Sequence, residues 1–281
     1  MNKQNVSSKR GWTVVIAGTG INLALGILYT WSIFKGAIAD SISAGGPGAF
    51  SWDSASINDP YATACLTFAV AMILAGKVQD KFGPRVTSII GGMMVGIGFM
   101  WISQTTDYWS WIAGFGIMAG MGIGFGYSAA TPPALKWFPP AKTGLIAGIV
   151  VAGFGLASVY IAPLAQYLLG AYGLQQSMLY FGIGFVAVTC FFSMFLANPP
   201  VGYVADPNAA NSSAKAVIVE DKTPSQILKT AKFYTLWTCF FIGAGAGLMV
   251  IGSAKGLAKA SMGEMAFLVV AIMAVGNASG R

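Results

Sequence analysis

Eight apolar runs follow one another along this chain and leave it very few folds. They cover 12–34, 58–76, 86–102, 109–134, 145–169, 178–196, 236–253 and 266 onward. In hydrocarbon, every backbone N–H and C=O must find its partner within the protein, which restricts spanning structures to helices and closed barrels. A helix crosses the bilayer core in about 20 residues, close to the length of most of these runs. A barrel strand would instead alternate at every second position over about ten residues, and these runs do not. Only 9% of the residues are charged, against about 25% in soluble domains, too few for a water-facing surface. The first run is too long for the apolar core of a signal peptide. It leads into Trp31-Ser32-Ile33-Phe34-Lys35 rather than a small-residue cleavage site. The expectation is an all-α polytopic membrane protein with about eight spans.

Cations set its direction. With the N-terminus in the cytoplasm, Lys3, Lys9, Arg10, Lys77, Lys81, Arg85, Lys136, Lys142, Lys215, Lys222, Lys229 and Lys232 fall inside, twelve of the sixteen Lys and Arg. Lys35, Lys255 and Lys259 fall outside, and Arg281 lies within a span. This is the bias of the positive-inside rule. The net charge of +7 therefore reports membrane topology and not nucleic-acid binding. The reading is a multi-pass protein of the plasma or inner membrane, with the lipid bilayer as its constant partner. Cys65, Cys190 and Cys239 stand singly in apolar runs, with neither metal-ligand spacing nor a disulfide pattern. Histidine is absent, which removes the usual proton shuttle and the commonest metal ligand. Neither a metal nor a cofactor is expected. No nucleophile stands with a base at useful spacing, so an enzyme is not expected either.

Glycine is abundant, at 37 residues. Gly116, Gly120 and Gly124 stand four apart on one face of the fourth run, and the fifth adds Gly148, Gly153 and Gly155. Small residues at this spacing let helices approach closely where lipid supplies no hydrophobic drive between them. Residues 197–234 break the series. Pro199-Pro200 stops the sixth run, and the stretch from Asp206 to Lys222 reads as a polar linker. Thr223-Pro224-Ser225-Gln226 then has the form of a helix start, with a threonine cap and proline in the first turn. The organisation is a six-helix half over 1–196, a cytoplasmic linker with a short helix over 197–233, and the start of a second half over 234–281. Only two runs follow the linker, and the last is still open at Arg281, so about four further spans are expected beyond it.

Few polar groups interrupt the runs. An arginine inside a span costs several kcal/mol and so faces a cavity or a partner. Asn277 precedes Arg281 by four residues and shares its helix face. Its amide oxygen can accept from the guanidinium without cancelling the charge. That leaves a planar, two-pronged donor suited to a carboxylate. Two other readings stand beside it: an ion pair with a carboxylate on a further span, or a marker of the cytoplasmic helix end. Asp40, Asp53, Asp59, Asp107 and Glu264 fall at or near the outer face, so the first half offers no mid-span acid. It offers Tyr29, Thr30, Trp31 and Ser32 on the first run and Tyr127 and Ser128 on the fourth. Aromatics around one fixed cation suit a small anion with an apolar tail. Ordinary packing, or a belt at the membrane interface, is the competing account of each ring.

The stretch Gly76-Lys77-Val78-Gln79-Asp80-Lys81-Phe82-Gly83-Pro84-Arg85 is a tight charged turn between two apolar runs, with glycines at both bends. It resembles the loop between spans two and three of the major facilitator superfamily of secondary transporters. That loop runs Gly, three residues, Asp, Arg or Lys, any residue, Gly, any residue, Arg. The resemblance implies two six-helix halves, with spans one and four lining a cavity beside seven and ten. It also implies that Gly76, Asp80, Lys81, Gly83 and Arg85 latch the cytoplasmic helix ends in the outward-open state.

Three further stretches, Tyr29-Thr30-Trp31-Ser32-Ile33-Phe34, Lys136-Trp137-Phe138-Pro139 and Gly247-Leu248-Met249-Val250-Ile251-Gly252, resemble the oxalate/formate antiporter family, kin to the proton-linked monocarboxylate transporters. The tail Asn277-Ala278-Ser279-Gly280-Arg281 is similar to the eighth-span element in which an arginine binds substrate carboxylate. Tyr29 and Tyr127 match aromatic positions that line the oxalate carrier's pocket. The animal relatives carry an aspartate where this chain has Asn277, and a proton-coupling lysine where it has Ile33. The resemblance implies a monomeric secondary transporter of small monocarboxylates such as lactate, coupled to protons and working by alternating access. Arg281 would hold the carboxylate, Asn277 would position it, and Tyr29 and Tyr127 would line the pocket. An oxalate/formate-type anion exchanger is the alternative, and a non-transporting membrane receptor on the same fold is a third reading.

Overall fold

The computed structural model describes residues 3–200, 202, 203, 205 and 224–280. Every regular element among them is a helix, as the bilayer requires of these apolar runs. The first span is built in three pieces: helix Lys3–Leu25, a 3-10 turn Gly26–Thr30, and helix Trp31–Ala44. It continues ten residues into the expected loop 35–57. Phe34, Ile38 and Ile42 keep apolar groups four apart, and the helix stops only where Gly45 takes φ 63°.

Spans two and three form a single run of helix, Asp59–Ile102, of 44 residues. At about 1.5 Å per residue, a straight helix of that size would be roughly twice as long as the bilayer core is thick. It folds back at Gly83, whose φ of 81° and ψ of 168° are open only to glycine. Pro84 then opens the returning helix with no N–H to satisfy. The expected bend at Gly76 is absent: Gly76 sits within regular helix, since nothing there forces φ positive. Spans five and six repeat the device in Thr143–Ser193, broken only at Gly173 (φ 75°).

The fourth span comprises Tyr108–Trp111, a π-helical stretch Ile112–Ala119, and helix Gly120–Lys136. Asp107 caps it, Oδ2 accepting from the Ser110 N–H at 2.8 Å. The short helix expected after the linker is present as Pro224–Ile227. Its predicted cap, Thr223, and the linker Asp206 to Lys222 lie outside the described residues. Span seven, Ala231–Met262, runs nine residues past the expected apolar run, which places Lys255 and Lys259 on helix. Span eight is Phe267–Ser279.

Glycine sets the packing. A Cβ at Gly116 would stand 2.9 Å from Thr63, one at Gly124 would stand 2.7 Å from the Phe68 carbonyl, and one at Gly120 would collide with Thr67 Oγ1. This face of span four therefore lies directly on span two. A second face, carrying Gly122, lies on span three, where an added Cβ would stand 2.6 Å from the Gly91 carbonyl. Gly126 abuts Leu25 of span one. The close approach lets Thr67 Oγ1 donate to the Gly116 carbonyl at 2.6 Å, a polar contact between helices of the kind that lipid-embedded bundles use.

The alternating passes give the bundle two ends. At the N-terminal end, Trp12 meets Phe138 edge-on at 5.3 Å, and Trp137 donates to the Ala197 carbonyl at 2.8 Å. At the far end, Trp52 donates to the Thr106 carbonyl at 2.8 Å and Tyr108 to Asp59 Oδ2 at 2.7 Å.

Candidate functional site

Tyr29 owes its position to the 3-10 turn that interrupts span one. Gly26 opens that turn against span five, where a Cβ would strike the Phe154 carbonyl and the Ala157 methyl. The absence of that carbon brings Tyr29 onto the Phe154 ring, edge-on at 5.3 Å between centroids. From the opposite wall, Tyr127 of span four meets the same ring edge-on at 5.1 Å. Phe68 of span two completes the group, 5.6 Å from Tyr127 and nearly parallel to Phe154 at 6.1 Å. Four spans thus meet on one buried phenyl, while Tyr29, Phe68 and Tyr127 stay half-buried.

The eighth span reaches the same level. Ala278 lies 3.2 Å from where a Cβ would stand on Gly155, the residue after Phe154. Asn277, its neighbour in sequence, is half-buried there. Arg281 lies outside the described residues. The structure therefore brings Tyr29 and Tyr127 together on Phe154 and sets the Asn277 turn beside them. Phenol hydroxyls donate hydrogen bonds, and ring edges carry partial positive charge. Such a group suits an anion with a small apolar body.

Sequence reasoning missed Phe68 and Phe154. Phe154 left a signal, an aromatic between Gly153 and Gly155, where small neighbours admit helices on both sides. Phe68 left none. Two of the other first-span candidates are packing residues. Trp31 is fully buried, donates to Asn58 Oδ1 at 3.0 Å and lies parallel to Tyr61. Thr30 is buried against Ser158 at 3.3 Å. Ser32 is 3% exposed, and its hydroxyl has no hydrogen-bond partner among the described residues. Ser128 is half-buried.

The charged turn stands apart from the aromatic group, at the N-terminal end. Asp80, Lys81 and Arg85 are all exposed and make no ion pair among the described residues. Lys81 lies over the neighbouring Phe82 ring at 5.2 Å. The far end is joined. Lys259 of span seven pairs with Asp40 of span one at 3.6 Å, Lys255 donates to Gln166 of span five at 3.0 Å, and Tyr61 of span two donates to the Leu248 carbonyl at 3.3 Å. Toward the N-terminal end of span seven, Tyr234, Trp237, Phe240 and Ile242 are exposed. No three His, Cys, Asp or Glu side chains group as a metal site among the described residues.

Comparison with known proteins agrees with this architecture. The sequence pattern of the Major Facilitator Superfamily matches residues 12–281. An uncharacterised MFS-type transporter, YhjX, of Escherichia coli (strain K12) is 26% identical over 274 residues, 96% of this chain and 64% of that protein. The oxalate:formate antiporter of Oxalobacter formigenes is 25% identical over 246 residues, 87% of this chain and 54% of its own length. Human monocarboxylate transporter 11 is 24% identical over 275 residues, 96% of this chain and 55% of the transporter. The chain spans between half and two-thirds of the length of these relatives. Among solved structures, a D-xylose-proton symporter superposes with a TM-score of 0.58 at 16% identity, covering 95% of this chain and 66% of that one. That likeness establishes the fold alone.

Proposed function

The chain belongs to the Major Facilitator Superfamily, and from that premise we propose that it carries small monocarboxylates such as lactate across the cell membrane, by alternating access and in symport with protons. The observation that carries this reading is the convergence of Tyr29, Phe68 and Tyr127 on Phe154, with the Asn277 turn of span eight alongside. A wall of rings accepts the apolar body of a short-chain acid, and tyrosine hydroxyls donate toward its carboxylate. Arg281 supplies the charge and the two-pronged geometry, and Asn277 positions it. With the N-terminus cytoplasmic, we read the described arrangement as inward-facing. The far end is joined by contacts of Lys259, Lys255 and Tyr61, while Asp80 at the other end makes no ion pair among the described residues.

A relative named oxalate:formate antiporter, aligned over 87% of this chain, favours a second reading, exchange of organic anions. One experiment separates the two. The full-length protein is reconstituted in proteoliposomes and labelled lactate uptake is measured with an inward proton gradient and no internal anion. Accumulation that follows the gradient supports symport. Uptake that needs preloaded formate or oxalate supports exchange, and silence under both conditions removes lactate. Arg281→Lys keeps the charge and loses the fork, so uptake is expected to fall to background. Normal uptake by that variant would overturn the assignment of Arg281.

A further inference from the structure

We infer that a cavity at the far end, between spans one, five and seven, is a second carboxylate site, where cargo is held before it reaches the aromatic group. The inference rests on the carrier reading for its direction of traffic, but not for its chemistry. The cavity has a volume of about 410 Å³, and its polar lining includes Ser32, Lys35, Asp40, Gln166, Lys255 and Lys259. Three ammonium groups and one carboxylate face a space large enough for a small organic acid. Lysines gathered around a concave surface attract anions and raise their local concentration.

Two details make this more than a charged rim. Ser32, the deepest of the polar lining residues along span one, is almost fully buried, and its hydroxyl has no partner among the described residues. A buried hydroxyl without a partner calls for a ligand or a cost to explain it. Turned from its sealed position into the cavity, the hydroxyl would donate to a carboxylate oxygen there. Lys255 is also held in place from span five, its Nζ donating to Gln166 Oε1 at 3.0 Å. Together, a fixed ammonium and a waiting hydroxyl provide two donors for one carboxylate.

Asp40 shows what the site accepts. Its carboxylate sits 3.6 Å from Lys259 Nζ, with both side chains mostly exposed, so the pair is weak and readily exchanged. In this arrangement Asp40 stands in for a substrate carboxylate. An acid entering from the far side takes over Lys259, Lys255 and Ser32. Asp40 then lets go, and the contact between spans one and seven loosens. The ligand that binds the vestibule thereby opens its own way inward. Ser32 follows Tyr29 by three residues, about one helical turn or 5 Å along span one, so the two sites are close neighbours.

The test uses the full-length protein with Cys65, Cys190 and Cys239 replaced by serine and a single cysteine introduced as Ser32→Cys. Its rate of reaction with a negatively charged methanethiosulfonate, the sulfonatoethyl reagent, is compared with that of the trimethylammonioethyl reagent, each divided by that reagent's rate with a free thiol in solution, with and without sodium lactate. The anionic reagent is expected to react about tenfold faster, lactate to slow it, and Lys255→Gln with Lys259→Gln to erase the preference. If Ser32→Cys does not fold, Gly36→Cys serves. Gly36 borders the same cavity, and its added Cβ would lie 3.9 Å from Lys255 Nζ, ordinary contact. Equal rates for the two reagents, or no protection by lactate in a protein that transports it, would overturn the site and leave the carrier reading intact. Protection without uptake in either direction would uphold the site and overturn the carrier.

Discussion

Replacing Phe154 by alanine removes the ring on which four spans meet. In a water-soluble core, Phe→Ala costs about 3–5 kcal/mol, much of it from returning the ring to water. Lipid tails are as apolar as the ring, so in a bilayer that part largely disappears and packing remains. Phe154 makes three aromatic contacts, with Tyr29, Phe68 and Tyr127, and each such pair is worth about 0.5–1.5 kcal/mol. The expected loss of stability is about 2–4 kcal/mol. Phe185 is the matched control: it is equally buried, at 5% exposure, and touches Phe99 and Phe181 at 5.1 and 5.8 Å. With two pairs, Phe185→Ala should cost about 1–3 kcal/mol. Stability alone will hardly separate them.

Transport will. Tyr29 and Tyr127 are aimed by Phe154 and by nothing around Phe185. A hydrogen bond to a charged group contributes about 1.5–3 kcal/mol. Mis-aiming the tyrosines should raise the KM for lactate about tenfold, less than the full loss of one such bond at the upper end of that range. The assay is initial uptake of labelled lactate against concentration in proteoliposomes, with thermal unfolding in detergent on the same preparations. Phe154→Ala should raise KM, and Phe185→Ala should leave it within about twofold while unfolding earlier. An unchanged KM in Phe154→Ala, or an equal rise in both variants, would reduce the aromatic group to packing.

The glycines and the charged turn supply further tests. Gly120→Val should abolish stable folding, because its Cβ meets the Thr67 hydroxyl and stands 2.7 Å from the Ala64 carbonyl, a backbone atom that cannot step aside; monodisperse protein after detergent extraction would refute this. Gly83→Ala should cost about 1–3 kcal/mol from its positive φ. Gly76→Ala, with nothing within 4 Å of the new carbon, should gain about 0.5–1 kcal/mol, and a comparison of melting temperatures checks both signs. Asp80→Asn should leave the melting temperature unchanged, since Asp80 is exposed and makes no ion pair among the described residues. Its maximal uptake rate should fall severalfold if Asp80 latches the opposite state, and unaltered uptake would remove the latch.

The bilayer made most of this fold legible. Twenty-residue apolar runs admit one secondary structure, and the resemblance carried by the turn from Gly76 to Arg85 pointed to the superfamily. The runs were poorer guides to where helices stop, because hydropathy reports immersion in hydrocarbon while a helix ends where its hydrogen-bond ladder ends. Span one therefore runs on to Ala44 through Lys35 and Asp40, and span seven carries Lys255 and Lys259 beyond the apolar stretch. Turns were overestimated for the converse reason: one glycine at positive φ reverses the chain at Gly83 and again at Gly173. Tyr29 and Tyr127 could be picked by resemblance. Their meeting on Phe154 could not, since it depends on a 3-10 turn in span one that no periodicity announces.

The same contacts bear on how firmly the far end is held. An exposed ion pair such as Asp40 with Lys259 is worth about 0–1 kcal/mol. The Lys255–Gln166 and Tyr61–Leu248 hydrogen bonds add about 0.5–3 kcal/mol each, the charged one more. A gate of a few kcal/mol leaves the alternative state populated at the level of a per cent or so. A ligand shifts such a balance only by its difference in affinity between the two states. A carboxylate taking Lys259 and Lys255 from Asp40 and Gln166 has that difference built in, because it binds the very groups whose contacts hold the gate shut. On the carrier reading proposed above, the closure is weak enough for one small anion to reverse.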